Sequence, residues 1–220
     1  MNQKTTFGRT ISLAALALAL GVIAHTASAE LVQGRDYEIV TPAIPTTSGK
    51  SIEVMEFFSW ACSHCYEFYP HIARWEESLP KDVVFTRSPQ SLGHEQWVPL
   101  ARAYFVLEGL HQLKRLDGAV FKAVHEERVN LFSDDAVAAW MGKHGIDQQK
   151  FLSLMHSMLI ESQTREAERI AVGSKIMSTP TIVVAGKYRL VGANVQTFPE
   201  LFALLDEIIA KARAERAPAK

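Results

Sequence analysis

The sequence predicts an α/β fold: a strand–helix–strand unit, then a block of helices, then two strands and a closing helix. Three observations support this order. Residues 51–58 are β-rich and mostly apolar, residues 65–75 switch to helical spacing, and Ala185-Gly186 joins two short β-rich runs as a two-residue turn. The crossover between the first two parallel strands should be right-handed.

Each strand is predicted from a short run rich in β-branched and apolar residues, bounded by Gly, Pro or polar residues. The five runs cover residues 37–40, 51–58, 83–86, 181–184 and 187–190. The second and third are typical of strands buried inside a sheet.

The helices are predicted from apolar residues that recur every three or four positions. The first follows the second strand and places Cys65, Phe68, Ile72 and Trp75 on one face. No strand pattern occurs between residues 93 and 176. The other helices are predicted over residues 95–110, 117–125, 134–144, 148–160, 162–176 and 197–212, with Ser133 and Asp147 as N-caps and Gly145 as a stop.

The first 29 residues have the three parts of a secretory signal peptide. Lys4 and Arg9 give a positive start, residues 11–23 form an apolar run, and Ala27-Ser28-Ala29 is a small-residue cleavage site. The apolar run is shorter than the roughly 20 residues that a membrane-spanning helix needs. We therefore expect cleavage after Ala29 and an exported, soluble mature chain of 191 residues.

The mature chain would carry 21 basic and 24 acidic residues, a net charge of −3 that gives no bulk attraction to nucleic acid. Its length suits one domain, or one domain with a large insertion. We divide it into residues 30–92 and 169–220, two parts of one α/β domain, and residues 93–168, an inserted helical domain.

The chain has only two cysteines, and Cys62-Ser63-His64-Cys65 places them three positions apart at the start of the first helix. A disulfide scaffold would use more cysteines and close longer loops. At a helix N-terminus, free N–H groups and the helix dipole stabilise a thiolate at Cys62, and His64 can add positive charge. Stabilising the thiolate makes the disulfide a stronger oxidant. Cys65, one turn further in, should be the buried resolving thiol.

Two other uses of the cysteines are open. A structural disulfide closing a four-residue loop would contribute only about 2 kcal/mol, compared with about 5 kcal/mol for a loop of about 100 residues. A metal site could use Cys62, Cys65, His64 and His71, but structural zinc sites usually bring a second pair of ligands from elsewhere. A c-type haem would need histidine where Tyr66 stands. We expect neither a metal nor another cofactor.

Pro180 stands before the fourth predicted strand, where a residue without an N–H group needs a reason. It can stop the preceding helix. It can also form a cis peptide bond that exposes the backbone of Thr179 as an edge facing Cys62, with which an extended substrate could pair by strand addition. The position alone leaves both interpretations open.

Two segments resemble the DsbA family of periplasmic thiol–disulfide oxidoreductases. Residues 56–66, EFFSWACSHCY, resemble the active-site segment of that family, and residues 179–188, TPTIVVAGKY, resemble its cis-proline loop and following hairpin. The helical block between them matches in place and size the helical domain inserted into the family's thioredoxin fold. The resemblance covers essentially the whole mature chain and implies a thioredoxin fold (βαβ…ββα) with an inserted all-helical domain.

The resemblance also implies roles for individual positions. Cys62 would be the nucleophilic cysteine that reduced substrates attack, and Cys65 would be its partner. His64 would set the oxidising power of the pair. Pro180 would follow a cis bond, with Thr179 contacting the substrate and restraining the thiols.

Three further positions bear on the site. Glu56 matches an acidic residue that is linked to proton transfer at the buried thiol. Independently, a carboxylate in so apolar a strand must be paired or have a raised pKa, and Arg87 on the next strand is a candidate partner. Ser63 replaces the proline most familiar in the family, which changes the rigidity of the loop. Tyr69 stands where better-known members carry an acidic residue, so we expect a simpler buried charge network.

The resemblance implies a periplasmic dithiol oxidase of a Gram-negative bacterium. It would oxidise newly exported, unfolded proteins with reduced cysteines, be reoxidised by a DsbB-type quinone-linked membrane oxidase, and work as a monomer without a cofactor. Three alternatives stay open: a disulfide isomerase or reductase on the same fold, a chaperone-like peptide-binding module, and a relative with a narrow set of substrates. Periplasmic isomerases carry an N-terminal dimerisation domain, for which residues 30–50 are too short.

Overall fold

The computed structural model describes residues 30–216, so the signal peptide predicted for residues 1–29 lies outside the described residues. Within them, one sheet contains β1 (Tyr37–Ile39), β2 (Ile52–Phe58), β3 (Val83–Pro89), β4 (Thr181–Val184) and β5 (Tyr188–Leu190). The strand order is β1-β5-β4-β2-β3. β2 and β3 are parallel, whereas the other neighbouring pairs are antiparallel. The five predicted strands are confirmed, each within three residues of its predicted bounds.

In the same part of the chain, seven α-helices surround the sheet: α1 (Ser63–Glu77), α2 (Val98–Gly109), α3 (Leu113–His125), α4 (Asp134–Lys143), α5 (Gln148–Met155), α6 (Met158–Gly173) and α7 (Phe198–Arg216). Helix α1 is the crossover between the parallel strands β2 and β3, and α2 to α6 lie between β3 and β4 in the chain. Ser133 and Asp147 cap α4 and α5 as predicted, each accepting a backbone N–H. The predicted thioredoxin fold with inserted helices is confirmed.

Two predicted helix ends lie four residues from their observed positions: α3 begins at Leu113 instead of residue 117, and α7 ends at Arg216 instead of residue 212. The boundary between α5 and α6 differs most from its prediction. The helix expected to run to residue 160 ends at Met155, and the next helix begins at Met158. The cause is Ser157, which adopts an extended backbone conformation and accepts a hydrogen bond from the N–H group of Ile160 through its side chain. A serine in this position stops one helix and caps the next because its hydroxyl replaces a missing backbone acceptor.

The two faces of the sheet bury different apolar clusters. On one face, α1 and α7 cover β2 and β4, with Val54, Ile72 and Ile208 fully buried between them. On the opposite face, Phe57 and Val183 pack against residues at the end of α6. Because both faces of β2 are covered, all of its residues except Met55 are buried. This buried strand ends at Phe58, four residues before Cys62.

The inserted helices form a cluster of their own that includes the cysteines. Leu107, Phe121 and Met141 are fully buried in it, on three different helices. Cys62 and Cys65 belong to the same cluster, so the helical block forms one wall around them. Helix α6 crosses residues 168 and 169 without interruption. The division of the chain at residues 92/93 and 168/169 stays a prediction.

None of the helices between residues 30 and 216 is both long enough and apolar enough to cross a membrane.

The hairpin between β4 and β5 turns at Ala185-Gly186, as predicted. Both residues have positive φ, +52° and +67°, which is the backbone conformation of a two-residue type I′ turn. The backbone carbonyl of Gly186 accepts a hydrogen bond of 2.8 Å from the N–H group of Ile44. A side-chain carbon added at Gly186 would lie 2.0 Å from the carbonyl oxygen of Ile44. Glycine is therefore required here by contact as well as by conformation.

We predict that Gly186→Ala lowers the free energy of unfolding by about 2 kcal/mol more than Gly49→Ala, because only the first collides with backbone. Gly49 is the matched control: its φ is +62°, but nothing lies within 4 Å of an added carbon. Urea denaturation of both variants measures the difference. Equal losses would show that the Ile44 segment moves away at little cost.

Candidate active site

The two cysteines lie between the end of β2 and the first turn of α1. After β2 ends at Phe58, the N–H group of Cys62 bonds back to the carbonyl of Ser59 at 3.1 Å, which closes a tight turn. Cys62 is the N-cap residue of α1, with extended backbone angles. Its side chain therefore lies at the helix end that carries unpaired N–H groups. Both side chains are thiols in the structure; Cys62 is 8% exposed and Cys65 is completely buried.

Ionisation of Cys62 is strongly favoured: its pKa is lowered from about 9 to about 5. The largest cause is a hydrogen bond from the thiol of Cys65, and burial opposes it. The Thr179 side chain and the backbone N–H groups of Cys65 and His64 lower the pKa further. These N–H groups belong to the first turn of α1, where the helix dipole also favours an anion.

The backbone of Thr179 also contacts the sulfur of Cys62. Its carbonyl oxygen lies 3.3 Å from the sulfur of Cys62 and accepts a hydrogen bond from the thiol. Only the protonated thiol can make this bond, because a thiolate has no hydrogen to donate. The Thr179–Pro180 bond is cis, as the resemblance implies. Of the predicted substrate-binding pair, Thr179 therefore lies directly against Cys62, and Pro180 follows it through the cis bond.

Cys65 behaves in the opposite way to Cys62. Burial raises its pKa far above the ordinary range, and the hydrogen bond to Cys62 and the charges of Cys62 and Glu56 raise it further. At neutral pH the reduced pair therefore holds one thiolate, at Cys62, and one thiol, at Cys65. This asymmetry suits an ionised nucleophile at Cys62 and a protonated, completely buried partner at Cys65.

His64 and Ser63 occupy the first turn of α1 with their side chains in solvent. The imidazole of His64 is 77% exposed and lies 3.5 Å from the carboxylate of Glu67. The group of His64 that acts on Cys62 in the structure is its backbone N–H. A role for the imidazole charge, and for Ser63 in the rigidity of the loop, stays a prediction.

The predicted pairing of Glu56 with Arg87 is present in the structure. The guanidinium Nε lies 2.7 Å from Oε2 of Glu56, which is completely buried on β2. Burial raises the pKa of Glu56, Arg87 opposes this, and the charges of Asp117 and Cys62 add to it. A buried carboxyl with a raised pKa, electrostatically coupled to both thiols, is suited to hold or release a proton there.

The expectation of a simpler charge network is wrong. Asp117 on α3 supplies the second acid, with Oδ2 2.7 Å from Nη1 of Arg87. Arg87 thus bridges two carboxylates, one from the sheet and one from the inserted helices. Tyr69, which stands where the resemblance leads one to expect an acid, instead packs its ring near the Arg87 guanidinium. The buried Arg87 cation thus has two carboxylate partners without an acid at position 69.

Sequence reasoning missed Asp117 and His125, which contact the cysteine loop at Trp60. The indole N–H of Trp60 donates to Asp117 at 2.7 Å, and the carbonyl of Trp60 lies 2.8 Å from Nε2 of His125. Asp117 and His125 are eight positions apart on α3 and therefore share a face, but no local pattern shows what that face contacts.

A cleft of about 780 Å³ opens beside the cysteines, between the start of α1 and the hairpin. Its apolar wall includes Phe68, Pro180, Phe198 and Leu201, and charged side chains lie among the lining residues. Met177 in the same lining is 84% exposed. Such a surface can accept an extended peptide with apolar side chains.

Between residues 30 and 216, no group of three or more His, Cys, Asp or Glu side chains is placed to hold a metal ion.

We predict that the thiolate absorbance of the reduced protein reaches half its change near pH 5, because Cys62 ionises there and Cys65 does not. A pKa lowered by folding adds stability that is complete above the unfolded value and lost as pH falls toward 5. The free energy of unfolding of the reduced protein, compared with Cys62→Ser, should therefore increase by at most about 1.4 kcal/mol per pH unit between pH 5 and about 8.5. A difference independent of pH would contradict a stabilised thiolate.

We predict that Asp117→Asn lowers the free energy of unfolding by about 2 kcal/mol, because a buried cation loses one of its two carboxylates. The asparagine oxygen can still accept the Trp60 N–H. The matched control is Glu166→Gln, which breaks the exposed pair of Glu166 with Arg169. Chemical denaturation should show no measurable change for the control. A comparable, negligible change for Asp117→Asn would show that Glu56 alone satisfies Arg87.

Comparisons with known proteins agree with this geometry. A family model described as a DSBA-like thioredoxin domain matches residues 53–201. The thiol:disulfide interchange protein DsbA of Pseudomonas aeruginosa is 34% identical over 181 residues, which are 82% of this chain and 85% of that protein. The DsbA of Bordetella pertussis is 34% identical over 187 residues, or 84% of this chain and 87% of the relative.

Solved structures give the same result. The crystal structure of Pseudomonas aeruginosa DsbA matches with a TM-score of 0.78 at 34% identity, covering 84% of this chain and 96% of the other. DsbA from Xylella fastidiosa matches with a TM-score of 0.77 at 30% identity, covering 84% and 98%. The two cysteines at the start of α1, one with a lowered and one with a raised pKa, fit these relatives. The chain belongs to the DsbA-like thioredoxin family and is a thiol:disulfide oxidoreductase.

Proposed function

We propose that the protein is a dithiol oxidase that transfers the Cys62–Cys65 disulfide to exported proteins with reduced cysteines. The observation that supports this direction is the thiolate at Cys62, with a pKa of about 5. A group that stabilises the thiolate stabilises the reduced pair. The disulfide is then easily reduced, which makes it an effective oxidant of other thiols.

The first step is attack by a substrate thiolate on the sulfur of Cys62. A substrate–Cys62 disulfide forms, the Cys62–Cys65 bond breaks, and the sulfur of Cys65 leaves with the electron pair. Because the pKa of Cys65 is raised far above neutrality, this sulfur takes up a proton. Glu56 is the nearby buried carboxyl whose raised pKa suits it to supply that proton.

In the second step, another thiolate of the substrate attacks the substrate's own sulfur in the mixed disulfide. The substrate disulfide forms, and Cys62 leaves as the stabilised thiolate. Two electrons pass from the substrate dithiol to the cysteine pair, so the substrate is oxidised and the protein reduced. A leaving thiol of low pKa departs faster, which favours product release at Cys62 over reversal.

Thr179 and Pro180 are the proposed contacts for the substrate backbone. Thr179 already lies against Cys62, and the apolar cleft continues from Pro180 toward α7. A peptide extended along this edge would place its cysteine over Cys62 and its apolar neighbours in the cleft. The substrates are therefore proposed to be unfolded chains, recognised by backbone and apolar side chains.

The setting of the reaction is also part of the proposal. The pattern of residues 1–29 supports export through a cleavable signal peptide into the periplasm of a Gram-negative bacterium. The reoxidising partner would be a DsbB-type quinone-linked membrane oxidase, and the protein would act as a monomer. Reoxidation of the reduced protein by DsbB-containing membranes, and sedimentation of the mature chain, test these two points.

We predict that the oxidised protein converts a reduced two-cysteine peptide to its disulfide, and that Cys62→Ser and Cys65→Ser both abolish the reaction. Mass spectrometry of the peptide measures the product. Alkylation of the reduced wild type near pH 6 should label Cys62 first, because only that sulfur is ionised. The control Ser157→Ala alters the cap of α6, whose side chain bonds to Ile160 and not to the cysteine loop, and should retain the rate.

Other outcomes would identify a different function. Unchanged support of substrate folding by the double cysteine-to-serine variant would indicate a chaperone-like peptide-binding module. Rapid reduction of substrate disulfides by the reduced protein, without oxidation of dithiols by the oxidised one, would indicate a reductase or isomerase. Activity on a single exported protein among many would indicate a narrow-substrate relative.

A further inference from the structure

We infer that His125 is a positioning residue for the thiol–disulfide reaction and that it acts through the backbone of Trp60. Nε2 of His125 lies 2.8 Å from the carbonyl oxygen of Trp60, two residues before Cys62. A carbonyl oxygen only accepts hydrogen bonds, so Nε2 carries the hydrogen and donates it. This inference rests on the proposed role of Cys62 as the nucleophile.

Helix α3 bonds to both the side chain and the backbone of Trp60. Asp117 accepts the indole N–H at 2.7 Å, and His125 donates to the backbone carbonyl. Phe121 lies halfway between them on the same helix face and packs against Phe58, the last residue of β2. Residues spaced four apart on a helix lie along one line, so a single rigid element fixes the loop entering the cysteine motif.

His125 also contacts the residue that follows the second cysteine. Its ring stacks on Tyr66, with centroids 4.9 Å apart and planes 13° from parallel. The hydroxyl of Tyr66 in turn donates to the carboxylate of Glu126, the next residue of the chain after α3. His125 therefore touches both sides of the motif: the loop that enters it and the first turn of α1 that leaves it.

This contact affects the nucleophile through geometry. The thiolate of Cys62 is stabilised by N–H groups of the first turn of α1 and by the thiol of Cys65. Those contacts require the loop from Trp60 to Cys62 to keep its path. Two bonds to Ser59 and the indole bond to Asp117 also restrain this loop, but His125 is the partner of the Trp60 carbonyl. Without a donor at His125, the Trp60 carbonyl loses its partner and the loop can shift.

The chain supplies a matched control for this histidine. His144, at the end of α4, places Nδ1 2.8 Å from the carbonyl of Trp140 and stacks on the ring of that tryptophan at 3.6 Å. It thus makes the same two kinds of contact, a bond to a tryptophan carbonyl and a stacked ring, within the inserted helices. His144→Phe should affect thermal stability without affecting the cysteine pair.

The test compares His125→Phe, which keeps a stacking ring but has no donor, with His125→Gln, which keeps a donor but has no ring. For His125→Phe we expect the Cys62 pKa to rise by about half a unit to one unit, and peptide oxidation to slow roughly three- to tenfold. The glutathione equilibrium should move by a similar factor toward the oxidised protein. His125→Gln should restore most of the wild-type pKa and rate.

Wild-type values of the Cys62 pKa and oxidation rate in His125→Phe would overturn the inference. A glutamine variant as defective as the phenylalanine variant would also overturn it, since the donor would then be unimportant. The Cys62 pKa keeps this test separate from the proposed function: if the wild type fails to oxidise the peptide, that function fails, while the pKa comparison still decides the role of His125.

A measurement on the unaltered protein provides a test even if a variant does not fold. Nitrogen chemical shifts of the His125 ring distinguish its two neutral tautomers. We expect hydrogen on Nε2, in slow exchange with solvent. Hydrogen on Nδ1 alone would leave Nε2 unable to donate to Trp60 and would overturn the inference.

Discussion

The site depends on one constraint: two sulfur atoms share the first turn of a helix, but only one of them can ionise. Cys62 meets the free N–H groups of α1 and the thiol of Cys65, whereas Cys65 is enclosed on all sides. If Cys65 also ionised, two thiolates would lie buried side by side. The pKa of Cys65 is therefore raised. The reduced pair is therefore a thiolate supported by a thiol, and this arrangement is lost when the disulfide forms.

The surrounding fold maintains that arrangement. β2 delivers the loop from a strand covered on both faces, and it carries Glu56 beneath the cysteines. A buried carboxylate needs a partner, which Arg87 on the parallel strand provides. Asp117 and Trp60 extend the network to α3, so the inserted helices are bonded to the sheet through the same charge cluster. The helical block is thus part of the site as well as one of its walls.

Signals from neighbouring residues made much of the fold and part of the site predictable from the sequence. The two-residue turn at Ala185-Gly186, the strand before Cys62 and the helix after it each depend on neighbouring residues, and each was found. The break at Ser157 was missed because a serine suits a helix surface as well as a cap, and Leu152, Met155 and Leu159 continue the helical spacing across it. Asp117 and His125 bond to Trp60, 57 and 65 positions away, so spacing within α3 could not identify their partner.

The reduction potential of the Cys62–Cys65 pair, measured by equilibration with glutathione buffers, tests the central claim most directly. The account predicts a potential far above the roughly −270 mV of thioredoxin, toward the roughly −120 mV that is the general reference value for the DsbA family. Such a value would show that the Cys62 thiolate is stabilised with serine and histidine between the cysteines. A potential near that of thioredoxin would contradict the account, because the reduced pair would then be a donor of electrons.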